Sequence, residues 1–546
     1  MSKKILFLLL LIVGLAFSLR IYNVTKVPPS PDWDEAAIGY NAYSILKTGR
    51  DEFGYFLPLS LRSFNDHKPA FYAYATIPSI AIFGLDVFSV RFPSVIFGTL
   101  TVLGVFFLCE ALRKHLNNRL LTVYYSLLTA FLLAVSPWHI QFSRVGFEVN
   151  SALFLLVWGA VFFFWSLEKP RFLILSAVFY SLSLYAYHSA RVFVPLFVLA
   201  LFLLFYRKLL VHKKVLAMAL LVGFCLSLPA GLILLSPAGR ERLGGVSIYS
   251  DQTGLLRDNV RKIEQDKSLH LPLGDILHNR RLTYLSRFVE GYLWNFTPKW
   301  LFISGDGVER HHAPDMGVLY LLELPFILIG MYQLLKDKEK GKWAVFLWFL
   351  IAPIADAPTN QTPHAVRSYF LVIPLEIFSA VGVITIYQIL KKKAYGIILL
   401  SVICLLFTVN FVYYLDMYFH QMPKEFAPFW QYGYKQAIAK SAALAPKYKK
   451  IIFSGKLEQP YIFYLFYTQY DPVRYQKDGG SLGIDFNNWS YQTIGKYEFK
   501  LLDWGKEEKS PDLLYVGRPQ DFSGAVKIID TVYYPDGKPA MELVEG

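Results

Sequence analysis

The chain has 546 residues, of which 54% are hydrophobic, 17% are aromatic and only 18% are charged. A charged fraction this low is unusual for a soluble protein. The formal net charge of +14 does not indicate nucleic-acid binding, because the lysines and arginines cluster in short loops between apolar runs. That clustering is typical of positive charge that orients membrane spans. All three cysteines lie inside apolar runs, so no disulfide framework is indicated. The composition therefore predicts an α-helical polytopic membrane protein.

The apolar runs predict about eleven membrane-spanning helices, since a span needs roughly 20 apolar residues. With the basic loops placed inside, this is a multi-pass protein of the plasma or inner membrane with a cytoplasmic N-terminus. The run 69–84 is not counted as a span, because it is short, contains Pro78 and would turn a basic loop outward. We predict that it lies in the membrane interface. The predicted spans fall near residues 4–22, 91–112, 120–137, 150–167, 172–187, 192–206, 215–235, 316–335, 343–356, 369–390 and 394–414.

Three segments on the outward side are too long to be turns. They are residues 23–90, 236–315 and 415–546. The first is expected to contain interfacial helices, whereas the last is richer in charges and shows strand-like runs between turn residues. The strand-like runs are 450–454, 513–516 and 526–529, after a helix at 428–444. The chain is therefore predicted to have a membrane domain over residues 1–414 and a small extracytoplasmic α/β domain over residues 415–546.

A cluster of acids opens the first outward segment. Residues 34–47 have the spacing of an amphipathic helix that stops at Gly49, which puts Asp32, Asp34 and Glu35 at its N-terminal end. In the structural interpretation, Asp32 caps the helix and the other two acids complement its dipole. In the functional interpretation, the acids belong to an active site, and the later outward segments favour this second interpretation.

Asp66, His67 and Lys68 follow in the same segment, just before the predicted interfacial helix. A carboxylate, an imidazole and an ammonium in consecutive positions provide metal ligands and a partner for an anion. Taken alone, Lys68 is more often a snorkelling side chain that contacts lipid headgroups.

The other outward loops also supply cations, aromatic rings and acids near the membrane surface. A lipid phosphate at this interface explains them, because cations bind phosphate, aromatic rings lie at headgroup level or stack on sugar, and a carboxylate acts as a base. The predicted phosphate-binding or lipid-binding residues are Lys68, Arg191, Arg287, Lys299 and Arg367. The predicted substrate-binding residues are Glu148, Trp138, His188 and Trp294. Glu148 heads an apolar run, so it also fits an N-terminal helix acid.

These groups suit a sugar–phosphate lipid as a donor. Breaking the bond between the anomeric carbon and the phosphate leaves a phosphomonoester, whose growing charge is stabilised by lysine, arginine or a metal ion. The incoming hydroxyl must lose a proton, which calls for a positioned Asp or Glu. No phosphate-binding loop or dinucleotide glycine pattern stands at a strand–helix junction, so no nucleotide cofactor is expected.

Four motifs follow one another along the chain: Trp33-Asp34-Glu35, His67-Lys68-Pro69, Arg91-Phe92-Pro93-Ser94, and the segment from Ser136-Pro137 to Glu148. In this order they resemble the GT-C glycosyltransferases, in particular the bacterial branch of protein O-mannosyltransferase-like and lipid A aminoarabinose transferase-like enzymes. The resemblance covers mainly the N-terminal part of the chain and is only architectural for the tail. It implies a polyprenyl-phosphate sugar donor and inversion of the anomeric centre.

The resemblance also implies roles for individual residues. The catalytic acid pair falls on Asp34 and Glu35, with Asp34 as the base, and the lysine that contacts the donor phosphate falls on Lys68. The acid of the second outward loop falls on Glu148. Aminoarabinose transferases have a metal-site Glu immediately before this lysine, where the present chain has a histidine. The candidate ligands of a divalent metal ion are therefore His67, Asp66 and His311, or its neighbour His312.

The expected partners are the bilayer, the lipid-linked donor and an acceptor protein, lipid or glycan. Two other functions compete with the enzyme. Glu323 and Glu376 lie inside predicted spans, where acids often mark pathways, so a transporter or flippase of a lipid-linked sugar is the alternative. The polar residues gather at one rim and no repeated halves are present, which favours the enzyme. In the third hypothesis the membrane part is a scaffold for the C-terminal domain.

Overall fold

The computed structural model describes residues 2–64, 66–116, 122–236, 239, 247–248, 253–270, 274–477 and 491–546. Several parts of the outward segment predicted at 236–315 therefore lie outside the described residues. Helices dominate the chain as far as Glu425, and a mixed sheet with short helices forms the remainder.

The helices before the C-terminal part form a bundle around a large apolar core. They are α1 (Lys3–Ile21), α2 (Trp33–Thr48), α3 (Phe71–Phe83), α4 (Val87–Arg113), α5 (Val123–Val135), α6 (Pro137–Ser143), α7 (Glu148–Ser166), α8 (Phe172–Ser183), α9 (His188–Leu209), α10 (Lys213–Leu235), α11 (Thr253–Ser268), α12 (Gly274–Leu277), α13 (Arg280–Trp294), α14 (Glu323–Leu335), α15 (Gly341–Ile351), α16 (Val372–Leu390), α17 (Gly396–Asp416) and α18 (Met422–Glu425).

Each predicted span coincides with one of these helices. Among the described residues, six helical segments are long and apolar enough to cross a membrane: α1, α4, α7, the continuous pair α9–α10, and the segments that contain α16 and α17. The pair α5 and α6, bent by 60°, makes a seventh if it is one span. The helices α8, α14 and α15 are apolar but shorter. The predicted class of polytopic helical membrane protein is confirmed.

The segment between α1 and α4 folds as α2, a hairpin and α3. Asp32 caps α2, since its Oδ1 accepts a hydrogen bond from the Glu35 N–H at 2.9 Å. The helix ends at Gly49, whose φ of 69° lies in the left-handed region that favours glycine. In the hairpin, β1 (Ser60–Ser63) pairs antiparallel with β2 (Asp66–Pro69). The amphipathic helix predicted at 34–47 is therefore present.

The C-terminal part contains a six-stranded mixed sheet in the order β4-β5-β3-β6-β8-β7. Strand β3 lies between β5 and β6 and runs parallel to both, while the other pairs are antiparallel. All three predicted strands are found, whereas the predicted helix at 428–444 starts only at Tyr434. The elements are α19 (Tyr434–Leu444), β3 (Lys450–Ser454), α20 (Pro460–Thr468), α21 (Pro472–Lys477), β4 (Gln492–Ile494), β5 (Tyr497–Lys500), β6 (Leu513–Gly517), β7 (Lys527–Tyr533) and β8 (Pro539–Glu545).

This C-terminal domain packs directly on α2 and shares one apolar core with it. The Trp33 N–H donates to the Gln431 side chain at 2.9 Å, and the Tyr40 hydroxyl donates to the Tyr470 carbonyl at 3.2 Å. At the far end of α2, the Gln476 amide donates to the Asp51 carbonyl at 2.8 Å. The helix that carries the acidic cluster is therefore held by the C-terminal domain along its whole length.

Candidate active site

Asp34 and Lys68 form an ion pair between the N-terminus of α2 and strand β2. The Asp34 side chain is 31% exposed, whereas the Lys68 side chain is 14% exposed and its ammonium nitrogen is buried, so the carboxylate is the accessible member of the pair. The carboxylate lies in the first turn of α2, where the helix dipole favours negative charge. The hairpin positions the lysine, because Lys68 is in register with Leu61 on β1.

Glu148 and Asp66 complete the charge cluster around Lys68. Burial of the ammonium by itself lowers its pKa, but the opposite charges of Asp34, Glu148 and Asp66 outweigh burial, and the pKa of Lys68 is raised. Lys68 is therefore a permanent cation. Glu148 is the first residue of α7, so its carboxylate, like that of Asp34, lies at a helix N-terminus. The structure thus brings Asp34 and Lys68, both from residues 23–90, together with Glu148 from the loop before α7.

Glu35 has different surroundings from Asp34. Its carboxylate is fully buried and forms two hydrogen bonds with the Arg91 guanidinium, each 2.8 Å long, and it also accepts the Gly146 N–H at 2.8 Å. Arg91 in turn donates to the carbonyls of Val24, Pro28 and Ser30 at 2.8–2.9 Å. The Glu35–Arg91 pair therefore connects the start of α2 to α4 and to the loop that follows α1.

Asp32 is also buried, and its second oxygen lies 3.4 Å from a guanidinium nitrogen of Arg310. Burial raises the pKa of Asp32 to about 7, although the Arg310 charge opposes the shift. The same guanidinium stacks over the Trp33 ring at 4.2 Å from its centre. The loop that contains Arg310 is thereby attached to the start of α2.

A cavity of about 640 Å³ begins at the hairpin that carries Lys68. It is enclosed by the hairpin, α9, the end of α10, α13 and the loop before α16. Four predicted site residues line it: His67, His188, Arg191 and Arg367. The remaining wall is largely apolar and includes Val192, Ile233, Leu234, Phe288 and Ile354. Lys68 directly follows His67 in β2, although Asp34, Lys68 and Glu148 do not themselves line the cavity.

Contacts between loops fix the cationic wall of this cavity. His188 Nε2 lies 3.1 Å from the His67 carbonyl oxygen, and Arg191 Nε donates to the Leu184 carbonyl at 3.1 Å. The Arg367 guanidinium donates to the Thr359 hydroxyl at 2.7 Å, while the Ser189 hydroxyl donates to the Arg367 carbonyl at 2.9 Å. Arg191 and Arg367, which are far apart in sequence, thus present their charges to the same cavity.

His311 lies in a group of metal-binding residue types, but not with the predicted partners Asp66 and His67. One potential ligand atom from each of Asp306, His311 and His364 lies within 4.8 Å of the other two. His311 Nδ1 is 2.7 Å from Asp306 Oδ2, which also accepts the Ala365 N–H at 2.7 Å. Burial raises the pKa of Asp306, but His311 and His364 outweigh it and lower that pKa to about 2. The residue types fit a divalent transition-metal ion, with Asp306 orienting His311.

Four of the predicted phosphate-binding or substrate-binding residues lie apart from both the cavity wall and the charge cluster. Trp138 is fully buried, packs edge-to-face with Trp300 and donates its indole N–H to the Ala365 carbonyl at 3.2 Å. Arg287 is half-exposed and forms an ion pair with Glu290 at 3.0 Å. The other two, Lys299 and Trp294, have exposed side chains.

Three further residues contribute to the site, although the sequence analysis did not place them there: Arg310, Asp306 and His364. The alternation of Asp, Arg and His between 306 and 312 was a signal for a site. The contact of this segment with His364 and with α2 was not visible in the sequence, because it depends on the packing of distant loops.

No family model matches the sequence, and no curated protein matches it. Solved structures do match. The oligosaccharyltransferase AglB from Archaeoglobus fulgidus, in complex with an inhibitory peptide and a dolichol-phosphate, aligns with a TM-score of 0.51 and 13% identity over 85% of this chain. Our chain spans only 64% of that protein. The same archaeal enzyme in complex with Zn and sulfate aligns with a TM-score of 0.50 and 14% identity, covering 84% of this chain and 61% of that one.

A second match covers almost the entire chain. ArnT from Cupriavidus metallidurans, bound to undecaprenyl phosphate, aligns with a TM-score of 0.51 and 11% identity over 99% of this chain and 97% of that one. Identities this low establish the fold alone. The present chain therefore shares the fold of these solved proteins, which is the architecture that the resemblance in its sequence motifs implies.

Proposed function

We propose that the protein is an inverting glycosyltransferase that moves a sugar from a polyprenyl-phosphate donor to an acceptor hydroxyl or phosphate at the non-cytoplasmic face of the membrane. One observation carries the proposal: the hairpin that places Lys68 against Asp34 and Glu148 also contributes His67 to a cavity lined by Arg191 and Arg367. A carboxylate–lysine pair and a largely apolar space with two arginines on its wall thus share one hairpin.

Asp34 is the proposed base. The acceptor O–H gives its proton to the Asp34 carboxylate while its oxygen attacks the anomeric carbon from the side opposite the phosphate. The bond from that carbon to the phosphate oxygen breaks, and its electron pair stays on the phosphate. The ion pair with Lys68 holds the Asp34 carboxylate in place before the acceptor arrives.

Lys68, Arg191 and Arg367 are the proposed phosphate site. Negative charge grows on the phosphate as the sugar leaves, and fixed cations in a partly dehydrated cavity stabilise that charge more strongly than water does. The apolar wall around Val192, Ile233 and Phe288 suits the first isoprenoid units of a lipid. The structures of matching fold that contain dolichol-phosphate or undecaprenyl phosphate support the same class of donor.

Glu35 and Glu148 have different proposed roles. Glu35 was predicted to be part of the catalytic acid pair, and its buried contacts with Arg91 and Gly146 suit a positioning residue that fixes the start of α2. Glu148 faces Lys68 from α7, which suits hydrogen bonding to a sugar hydroxyl of the donor. Of the predicted substrate-binding residues, His188 on the cavity wall fits this role as well.

A divalent metal ion is a proposed cofactor. Asp306, His311 and His364 would hold it, and when bound it would supply positive charge near the start of α2. The archaeal structure with Zn and sulfate supports testing zinc first. The C-terminal domain, which packs along α2, is proposed to help select the acceptor.

The competing transporter hypothesis keeps one supporting observation, the buried pair Glu323 and Glu376 in α14 and α16. The two functions differ in a simple respect, because only an enzyme consumes the donor in detergent solution, where no second compartment exists.

The test uses the purified full-length protein in detergent with a panel of undecaprenyl-phosphate sugars. Release of undecaprenyl phosphate is measured for the wild type, for Asp34→Asn and for the control Asp416→Asn, whose side chain is exposed on α17. We expect release by the wild type and the control, and a loss of at least 100-fold in Asp34→Asn. Wild-type turnover in Asp34→Asn, or no donor consumption by any form, would remove the proposal.

A further inference from the structure

Two carboxyl groups lie buried inside the helical bundle, outside the site described above. Glu323 is the first residue of α14, and Glu376 lies in the second turn of α16. Their side chains are 2% and 0% exposed. The two helices cross in close contact, since a Cβ atom on Gly330 would lie 1.8 Å from the Phe378 carbonyl oxygen, and one on Gly382 would lie 1.9 Å from that of Phe326. This packing keeps the two carboxyl groups next to each other.

Two serine hydroxyls point into the same space. Ser379 lies one turn after Glu376 on α16, and its hydroxyl lies beside the Glu323 carboxyl. Ser136 stands at the bend between α5 and α6, and its hydroxyl lies beside the Glu376 carboxyl. Both serines are fully buried, and each therefore has its hydroxyl confined to the space between the carboxyl groups.

The oxygens of this cluster are close together but not aligned for hydrogen bonds. Five buried oxygens have no aligned partner: Glu323 Oε2, both carboxyl oxygens of Glu376, and the hydroxyls of Ser136 and Ser379. No lysine, arginine or histidine contacts the two carboxyl groups among the residues that the structure describes. A buried polar atom without a partner is costly, and a buried charge without a counter-ion is more so. A ligand that satisfies all five oxygens would remove both costs.

The chemistry of the cluster identifies the class of ligand. All of its donors are oxygens and none is nitrogen or sulfur, which selects a hard cation over zinc or copper. Two carboxylates match the charge of a divalent ion. Mg²⁺ prefers strict octahedral geometry and keeps several waters, whereas Ca²⁺ accepts irregular oxygen cages with few waters. A fully buried cluster between packed helices, which leaves little room for the waters that Mg²⁺ keeps, therefore fits Ca²⁺ better than Mg²⁺.

We propose that Glu323, Glu376, Ser136 and Ser379 form a structural Ca²⁺ site in the bundle. The ion joins α14, α16 and the α5–α6 bend. Trp138 lies two residues after Ser136 at the α5–α6 bend, and Arg367 of the cavity wall lies five residues before α16. The ion therefore stabilises the helices that position the cationic wall of the cavity. The site is separate from the group of Asp306, His311 and His364, whose nitrogen ligands favour a transition metal.

The test measures calcium binding by the full-length protein in detergent after treatment with EGTA. Thermal unfolding, followed by tryptophan fluorescence, is recorded against CaCl₂, with MgCl₂ and choline chloride as salt controls. We expect the midpoint to rise with Ca²⁺ and to saturate, because a ligand that binds only the native state stabilises it by mass action. Bound radioactive calcium should approach one ion per chain.

Variants assign the binding to this cluster. Glu376→Gln and the milder Ser379→Ala should each weaken calcium affinity at least tenfold, whereas His311→Ala and the surface variant Glu168→Gln should leave it unchanged. If Glu376→Gln does not fold, the calcium affinity of Ser379→Ala tests the proposal. Unchanged affinity in Ser379→Ala, or a wild type that does not respond to Ca²⁺, would overturn the proposal. If the wild type does not respond to Ca²⁺ and Glu376→Gln is more stable than the wild type, bound protons and not a metal ion neutralise Glu323 and Glu376.

Discussion

The buried arginines of this protein bind main-chain carbonyls that lack partners in a helix or sheet. Arg144 donates to the carbonyls of Leu19, Arg20 and Val27 at 2.7–3.0 Å. Arg91 donates to the carbonyls of Val24, Pro28 and Ser30 at 2.8–2.9 Å. An irregular loop inside a bundle has carbonyl oxygens that water cannot reach, and a guanidinium with five N–H donors satisfies several of them at once. Lys68 differs, because its compact ammonium pairs with the partly exposed Asp34 carboxylate and not with main-chain carbonyls.

Arg367 and Arg287 form a matched pair for testing the phosphate site. Both were predicted from the sequence to bind the donor, but only Arg367 lines the cavity, while Arg287 pairs with Glu290 on the exposed face of α13. A hydrogen bond to a charged group contributes about 1.5–3 kcal/mol. Arg367→Gln should therefore raise the KM for the lipid donor about 10-fold to 100-fold, and Arg287→Gln should leave it within about twofold. Equal effects in donor-titration kinetics would contradict the assignment.

At the scale of the element, α2 depends on the Glu35–Arg91 ion pair for its position. Both side chains are fully buried, and removing one partner of such a pair leaves an uncompensated charge that costs about 3–5 kcal/mol. Glu35→Gln should therefore lower the unfolding free energy by about 3 kcal/mol or more. The control Glu168→Gln breaks the exposed pair with Lys114 and should cost less than about 1 kcal/mol. Denaturant titration in detergent measures both, and similar losses would show that the buried pair has no special role.

The buried side chain of Glu52, just after α2, should make the free energy of unfolding depend on pH. The side chain is 1% exposed and accepts a hydrogen bond from Asn41 at 3.1 Å, and burial raises the pKa of Glu52 from 4.5 to about 8. Between these two pH values the native state keeps a proton that the unfolded state has lost. Stability contributed by this group is therefore present below pH 4.5 and is lost as the pH rises towards 8.

Glu52→Gln removes this titration while keeping the oxygen that Asn41 binds. The variant should consequently gain stability over the wild type as the pH rises from 5 to 8, by on the order of a few kcal/mol at the upper end. Thermal unfolding midpoints at several pH values measure the difference. Parallel curves for the two proteins would show that Glu52 has an ordinary pKa.

At the scale of the whole molecule, the C-terminal domain and the membrane bundle meet at Gly39. A Cβ atom there would lie 2.6 Å from Val90 of α4 and 2.7 Å from Phe466 of α20. Gly39→Val should therefore separate α2 from α20, increase limited proteolysis before Tyr434, and lower donor cleavage at least tenfold, because α2 carries Asp34. Gly14→Val, at a position in α1 with no atom within 4 Å, is the control. An intact Gly39→Val protein with normal turnover would refute the coupling.

The sequence predicted the helical bundle, α2 and the strands of the C-terminal domain, because apolar run length, capping residues and alternation are local signals. It also predicted that Asp34, Lys68 and Glu148 converge. It could not separate Arg367 from Arg287, since which of two arginines faces a cavity depends on the rotation of α13 and the path of a distant loop. The sequence also could not show that Trp138 is buried, because a tryptophan at the membrane rim has the same sequence signal as one in the core.

The most direct test of the central claim is a structure of the full chain with undecaprenyl phosphate bound. The account predicts that the phosphate lies within hydrogen-bonding distance of Lys68 and of Arg191 or Arg367, with the lipid chain against Val192 and Phe288 and the Asp34 carboxylate facing the open side. A phosphate held elsewhere on the protein, with these cations free of contact, would contradict the account.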